Sequence, residues 1–147
     1  MKIINFTDFC KSIDKKLLNS KSVITIGSIY EHLLMKKEKW SSIKYWQDFE
    51  QGVKEYSEDE IVNLFLFEEI KQLSGEVILV TMESYTKNIV FKIKNKEEFI
   101  VLIRNYDEII QENIDFMQPM DYILMNSNLD CFVLIHHDGL RVKVSIS

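Results

Sequence analysis

The sequence predicts an α+β fold: about five antiparallel strands, in β-β-α-β-β-β order through the C-terminal half, with N-terminal helices packed mainly on one face. Three observations carry this expectation. Apolar residues recur at helical spacing up to Gly75, and strand-like runs dominate afterwards. Most connections between the later strands are too short for a parallel crossover, which forces antiparallel pairing. No internal repeat or linker composition divides the 147 residues, so one domain spanning 1–147, with one sizeable core, is expected.

Residues 6–19 set Phe6, Phe9, Cys10, Ile13, Leu17 and Leu18 on one helical face, opposite Lys11, Asp14, Lys15 and Lys16. Residues 23–26 read as a short strand or as the entry to a second helix over 28–37, with Ser28 as its cap. The aromatic stretch 40–49 predicts irregular structure followed by a short helix. Ser57-Glu58-Asp59-Glu60 is a capping box, a serine followed three residues later by a glutamate, with acids in the first turn to suit the positive helix end. The helix it opens buries Ile61, Val62, Leu64, Phe65, Leu66, Ile70 and Leu73, and Gly75 ends it.

After Gly75 the period shortens. Residues 77–82 predict a buried strand, 83–88 a loop and 89–93 a second strand. Asn95 caps a helix whose face is Phe99, Leu102, Ile103, Tyr106, Ile109 and Ile110, and Pro119 blocks its continuation. Three strands follow, over 122–125, 131–135 and 140–146. The turns between them carry Asn126-Ser127-Asn128-Leu129-Asp130 and the hairpin signal His137-Asp138-Gly139.

Charge narrows the function classes. Eighteen Lys and Arg against 23 Asp and Glu give a net charge of −5, and only two of the cations are arginines. Duplex binding needs neutralised phosphates and favours bidentate arginine, so nucleic acid is not expected as a partner. No apolar run is long enough to span a bilayer, and the N-terminus turns polar too soon for a signal peptide, which predicts no membrane association and a cytoplasmic location. Cys10 and Cys131 sit among apolar neighbours and read as buried reduced thiols. Four glycines and one proline leave no phosphate-cradling loop, and no nucleophile motif is present.

Two constellations stand out. Residues 48–76 carry nine acidic and two basic side chains, and Trp40, Tyr45, Trp46, Phe49 and Tyr56 lie beside them. Aromatic anchors next to acids suit a basic protein partner, with Trp40, Tyr45, Trp46, Phe49, Glu58, Asp59 and Glu69 as contacts. The plainer account is a solvated helix surface and rings that cap the core. The second constellation is His136-His137-Asp138, whose imidazoles and carboxylate are good ligands for zinc or a similar ion. Adjacent strand residues point to opposite faces, so these histidines share an ion only if the turn bends them together. Paired acids such as Glu68-Glu69 and Glu97-Glu98 diverge on a helix and form no shared carboxylate site. Residues 116–120, between Asp115 and Asp121, offer a loop that could present a binding edge.

Asp121-Tyr122-Ile123-Leu124, the Asn-Leu-Asp turn, Cys131-Phe132-Val133-Leu134-Ile135 and His136-His137-Asp138 together resemble a set of small uncharacterised bacterial α+β proteins, loosely over two-thirds of the chain. Phe132 stands where that pattern commonly has tryptophan. The resemblance implies an α+β domain, and similar small acidic proteins include immunity proteins that neutralise bacterial toxins. The expectation is therefore a non-catalytic, immunity-like interaction module without a cofactor, binding a basic protein through residues about 40–76. The alternatives are a metal-binding protein or metal-dependent hydrolase using His136, His137 and Asp138, and a homodimer joined through an exposed edge strand.

Overall fold

A computed structural model describes residues 1–13, 31, 40–45, 57–62, 66–73, 75–114, 116, 121–135 and 140–145. Along the chain these form β1 (Lys2–Ile4), α1 (Phe6–Ile13), β2 (Trp40–Tyr45), α2 (Glu58–Glu60), α3 (Leu66–Leu73), β3 (Val77–Val80), α4 (Ser84–Lys87), β4 (Val90–Ile93), α5 (Lys96–Ile110), β5 (Tyr122–Asn126), β6 (Cys131–Ile135) and β7 (Leu140–Ser145). Of the expected second helix only Glu31 is described, and it is helical; the strand or helix entry at 23–26 and the end of the first helix lie outside the described residues.

The class is α+β. Seven strands pair in the order β1-β4-β3-β5-β6-β7-β2, antiparallel at every junction. The five strands expected from the sequence form the centre of this sheet, and the two added strands are its edges. β1 joins β4 through Ile3↔Phe91 and Ile4↔Val90. β2 stands where irregular structure was expected, pairing Trp40↔Val144 and Tyr45↔Leu140 with a register shift between Ser42 and Lys44, and the short helix expected to follow it by Phe49 lies outside the described residues. The segment 83–88, expected as a loop, contains the single helical turn α4.

The central strands are apolar on both sides, so neither face can be left to water. Val77, Leu79, Phe91, Ile93, Tyr122, Leu124, Val133 and Ile135 belong to one buried cluster, with Ile61, Val62, Ile70, Leu73 and the inner face of α5 packed on it. Ile78, Val80, Val90, Ile123, Met125, Phe132, Leu134 and Val144 form the other, beneath Phe6, Phe9 and Ile13 of α1. Most of the described helix therefore lies on one face, while α1 covers the opposite one. Each large side chain buried this way contributes roughly 1.5–3 kcal/mol.

The ends of α5 explain its position. The Asn95 Oδ1 accepts from the Glu98 N–H at 2.9 Å, and Glu98 accepts from the Met1 amino group at 2.6 Å and the Lys94 N–H at 2.7 Å. These bonds hold the Glu98 carboxyl below the usual carboxylate range. The helix kinks at Asn105 (φ −113°, ψ 17°), whose side-chain amide donates to the Val101 carbonyl at 3.1 Å, and it stops at left-handed Gln111. Gly75, at φ +72°, supplies the expected helix stop before β3.

Candidate functional site

The acid-rich helix start forms as the sequence predicts. The Glu60 N–H donates to Ser57 Oγ, and the Ser57 N–H donates to Glu60 Oε1, both at 3.3 Å. Asp59 is exposed, Glu58 opens α2 and Glu69 lies within α3. Downstream, Glu76 approaches Lys92 at 3.9 Å, so part of its charge is matched within the fold. The Lys71 ammonium sits 4.6 Å from the Phe67 ring centroid, a cation–π contact inside the same acidic segment. Replacing Ser57 with alanine should cost about 1 kcal/mol by orphaning the Glu60 amide. Thermal unfolding monitored by circular dichroism checks this, and an unchanged midpoint would refute it.

Trp40 and Tyr45 are the terminal residues of β2, an edge strand whose one sheet partner among the described residues is β7. The acidic segment begins at Asp48, three residues past the end of that strand. Trp46, Phe49 and Tyr56 lie outside the described residues, as do His136, His137 and Asp138, which fall between β6 and β7. Cys10 and Cys131 form no disulfide and are half-buried against opposite faces of the sheet, less enclosed than expected. Phe116 is buried within a ring cluster, its centroid 5.0 Å from Tyr122, 5.2 Å from Tyr106 and 5.8 Å from Phe99, so this residue of the loop belongs to the core, while 117–120 lie outside the described residues.

A second polar centre escaped the sequence reading. Tyr106 is 1% exposed, and its hydroxyl lies 2.8 Å from Glu83 Oε1 and 2.7 Å from Thr81 Oγ1. One hydroxyl carries one proton, so with Glu83 ionised Tyr106 donates to the carboxylate and accepts from Thr81. The Thr81 N–H donates to Ser84 Oγ at 2.9 Å, closing the turn that carries Glu83. Burial pushes the Glu83 carboxyl above its ordinary range; the Tyr106 hydrogen bond offsets part of that, and the charge of Glu112 adds to it. Burial likewise drives the Tyr106 hydroxyl far upward, so it stays protonated. The available signal was a tyrosine on a core-facing helix position, whose hydroxyl needs a partner once buried.

This network is enclosed: Thr81 and Ser84 are each 1% exposed and Glu83 is 7% exposed. It presents no hydroxyl to a substrate, and its chemistry is that of a structural tie between β3, α4 and α5. In the acidic start of α2, Asp59 is exposed. No helix among them is long and apolar enough to cross a membrane. Comparison with known protein families, curated proteins and solved structures finds no match.

Proposed function

We propose that this chain is a non-catalytic, immunity-like binding module that recognises a basic protein. The acidic segment 48–76 and the neighbouring aromatics Trp40, Tyr45, Trp46 and Phe49 form its contact surface. The observation that supports this most directly is the nine-to-two excess of acids over bases in that segment, with Asp59 exposed in a capped first turn. Clustered surface charge raises the encounter rate with an oppositely charged protein, and aromatic anchors supply binding energy once water is excluded.

The test compares four immobilised forms capturing partners from the native source. Wild-type chain and a control carrying Glu97→Lys, Asp107→Lys and Glu108→Lys on exposed positions of α5 should both retain the same basic protein. A variant carrying Glu58→Lys, Asp59→Lys and Glu69→Lys should lose it, although its net charge equals the control's. Ser57→Ala should keep it, which separates charge from helix-start stability. Retention by the Glu58/Asp59/Glu69 variant at the wild-type level would contradict the proposal. Pairing of two copies along β2 is the competing use of that edge, and sedimentation over a range of concentrations distinguishes it.

A further inference from the structure

The α4 corner is bonded to both faces of the sheet at once. Toward α5, Glu83 accepts from Tyr106, and the Lys87 ammonium pairs with Glu112 at 2.9 Å. Toward α1, the Tyr85 ring meets Phe6 nearly edge-on, at 6.0 Å between centroids and 78° between planes. The Thr7 N–H and hydroxyl donate to Asn88 Oδ1 at 3.1 and 3.3 Å, and the Phe6 N–H donates to the Asn88 carbonyl at 3.4 Å. Asn88 holds this geometry in a left-handed conformation, φ 58°. Within its described residues, Phe6–Ile13, α1 is held by these contacts and by its buried face of Phe6, Phe9 and Ile13.

We propose that residues 83–88 act as a proton-sensitive latch, which docks α1 onto the sheet while Glu83 is neutral and loosens it when Glu83 ionises. Glu83 sits at the start of α4, so a rearrangement that hydrates its carboxylate moves Tyr85 and Asn88, the two residues that grip α1. The groups that act on it come from every element packed there. Tyr106 of α5 donates to it, and Thr81 of β3 and Ser84 of α4 complete the hydrogen-bonded chain. Glu112, beyond α5, repels its charge while holding Lys87, and Tyr122 of β5 helps keep the Tyr106 hydroxyl protonated.

The sign follows from linkage. With its carboxyl raised by burial, docked Glu83 binds more protons than undocked Glu83 between the ordinary value of 4.5 and its own. Rising pH through that window therefore favours undocking, by up to about tenfold for each unit of displacement. The inference stands apart from the partner-binding proposal, because it involves neither residues 48–76 nor a partner.

Amide exchange followed by mass spectrometry, corrected for the intrinsic pH dependence of exchange, tests it. Protection of Phe6–Ile13 should fall with rising pH through the Glu83 midpoint while that of α5 holds, and in Glu83→Gln it should stay flat. Glutamine retains an oxygen for the Tyr106 hydroxyl but does not titrate. Should that variant fail to fold, wild-type resonance titrations decide: the Glu83 carboxyl carbon and the Thr7 and Asn88 amides should share one midpoint. A pH-independent α1, an equal slope in Glu83→Gln, or a Thr7 amide that ignores Glu83 titration would overturn the proposal.

Discussion

Replacing Phe116 with alanine should destabilise the fold by about 3–5 kcal/mol, a large fraction of the roughly 5–15 kcal/mol that holds a domain of this kind together. Its ring is 5% exposed and lies against three others, edge-on to Phe99 and Tyr106 and tilted on Tyr122. Those three belong to α5 and β5, so Phe116 packs in the angle between helix and sheet. Truncation removes the buried surface, the edge-to-face contacts and the filling of that angle together. Neither α5 nor β5 can close the gap without disturbing its own hydrogen bonds. Urea unfolding measures the loss, and a change below about 1 kcal/mol would mean that the ring cluster is not part of the cooperative core.

Tyr106→Phe should also destabilise, by about 1–3 kcal/mol, and by an amount that grows with pH. The substitution keeps the ring and its packing but removes the single donor among the described residues on the Glu83 carboxylate. In the wild type that bond offsets part of the upward push of burial on Glu83. Without it the native carboxyl rises further, so the native state binds more protons relative to the unfolded chain. Stability then falls as pH climbs above the ordinary value of 4.5, and falls further in the variant than in the wild type. The penalty at about pH 7 should therefore exceed that at about pH 4. Equal penalties at both would show that the hydroxyl acts through packing or through Thr81 alone.

Features governed by neighbouring residues were legible in the sequence. The Ser57–Glu60 and Asn95–Glu98 caps, the Gly75 stop and the strands of β3 to β7 depend on chemistry within a few positions, and the structure contains all of them. Features created by distant pairing were not. Lys2-Ile3-Ile4 is too short to show a period and becomes a strand because β4 offers it an edge. In Trp40–Tyr45 the register shift between Ser42 and Lys44 breaks the alternation that would have marked a strand. α4 is shorter than a helix nucleus can sustain alone, and it exists because Thr81 and Ser84 close its turn. The apolar runs of β3, β5 and β6 already implied two covered faces, but which helix covers which depends on long-range packing.

The candidate site divides the same way. The capped helix start at Ser57–Glu60, with Asp59 exposed, was readable because charge and capping are local. The tie between Glu83 and Tyr106 was not, because 23 residues separate its partners and only the adjacency of β3 and α5 joins them. Its consequence for function is indirect: it fixes the scaffold, while the proposed contact surface lies in residues 40–76.

The most direct measurement of that proposal is the association rate constant with the captured basic protein as a function of ionic strength. Wild type should associate fast at low salt and slow steeply as salt rises, while the Glu58→Lys/Asp59→Lys/Glu69→Lys variant should start at least about tenfold slower with a flattened salt dependence. A variant that matches the wild type in both rate and slope would contradict the acidic surface as the binding site.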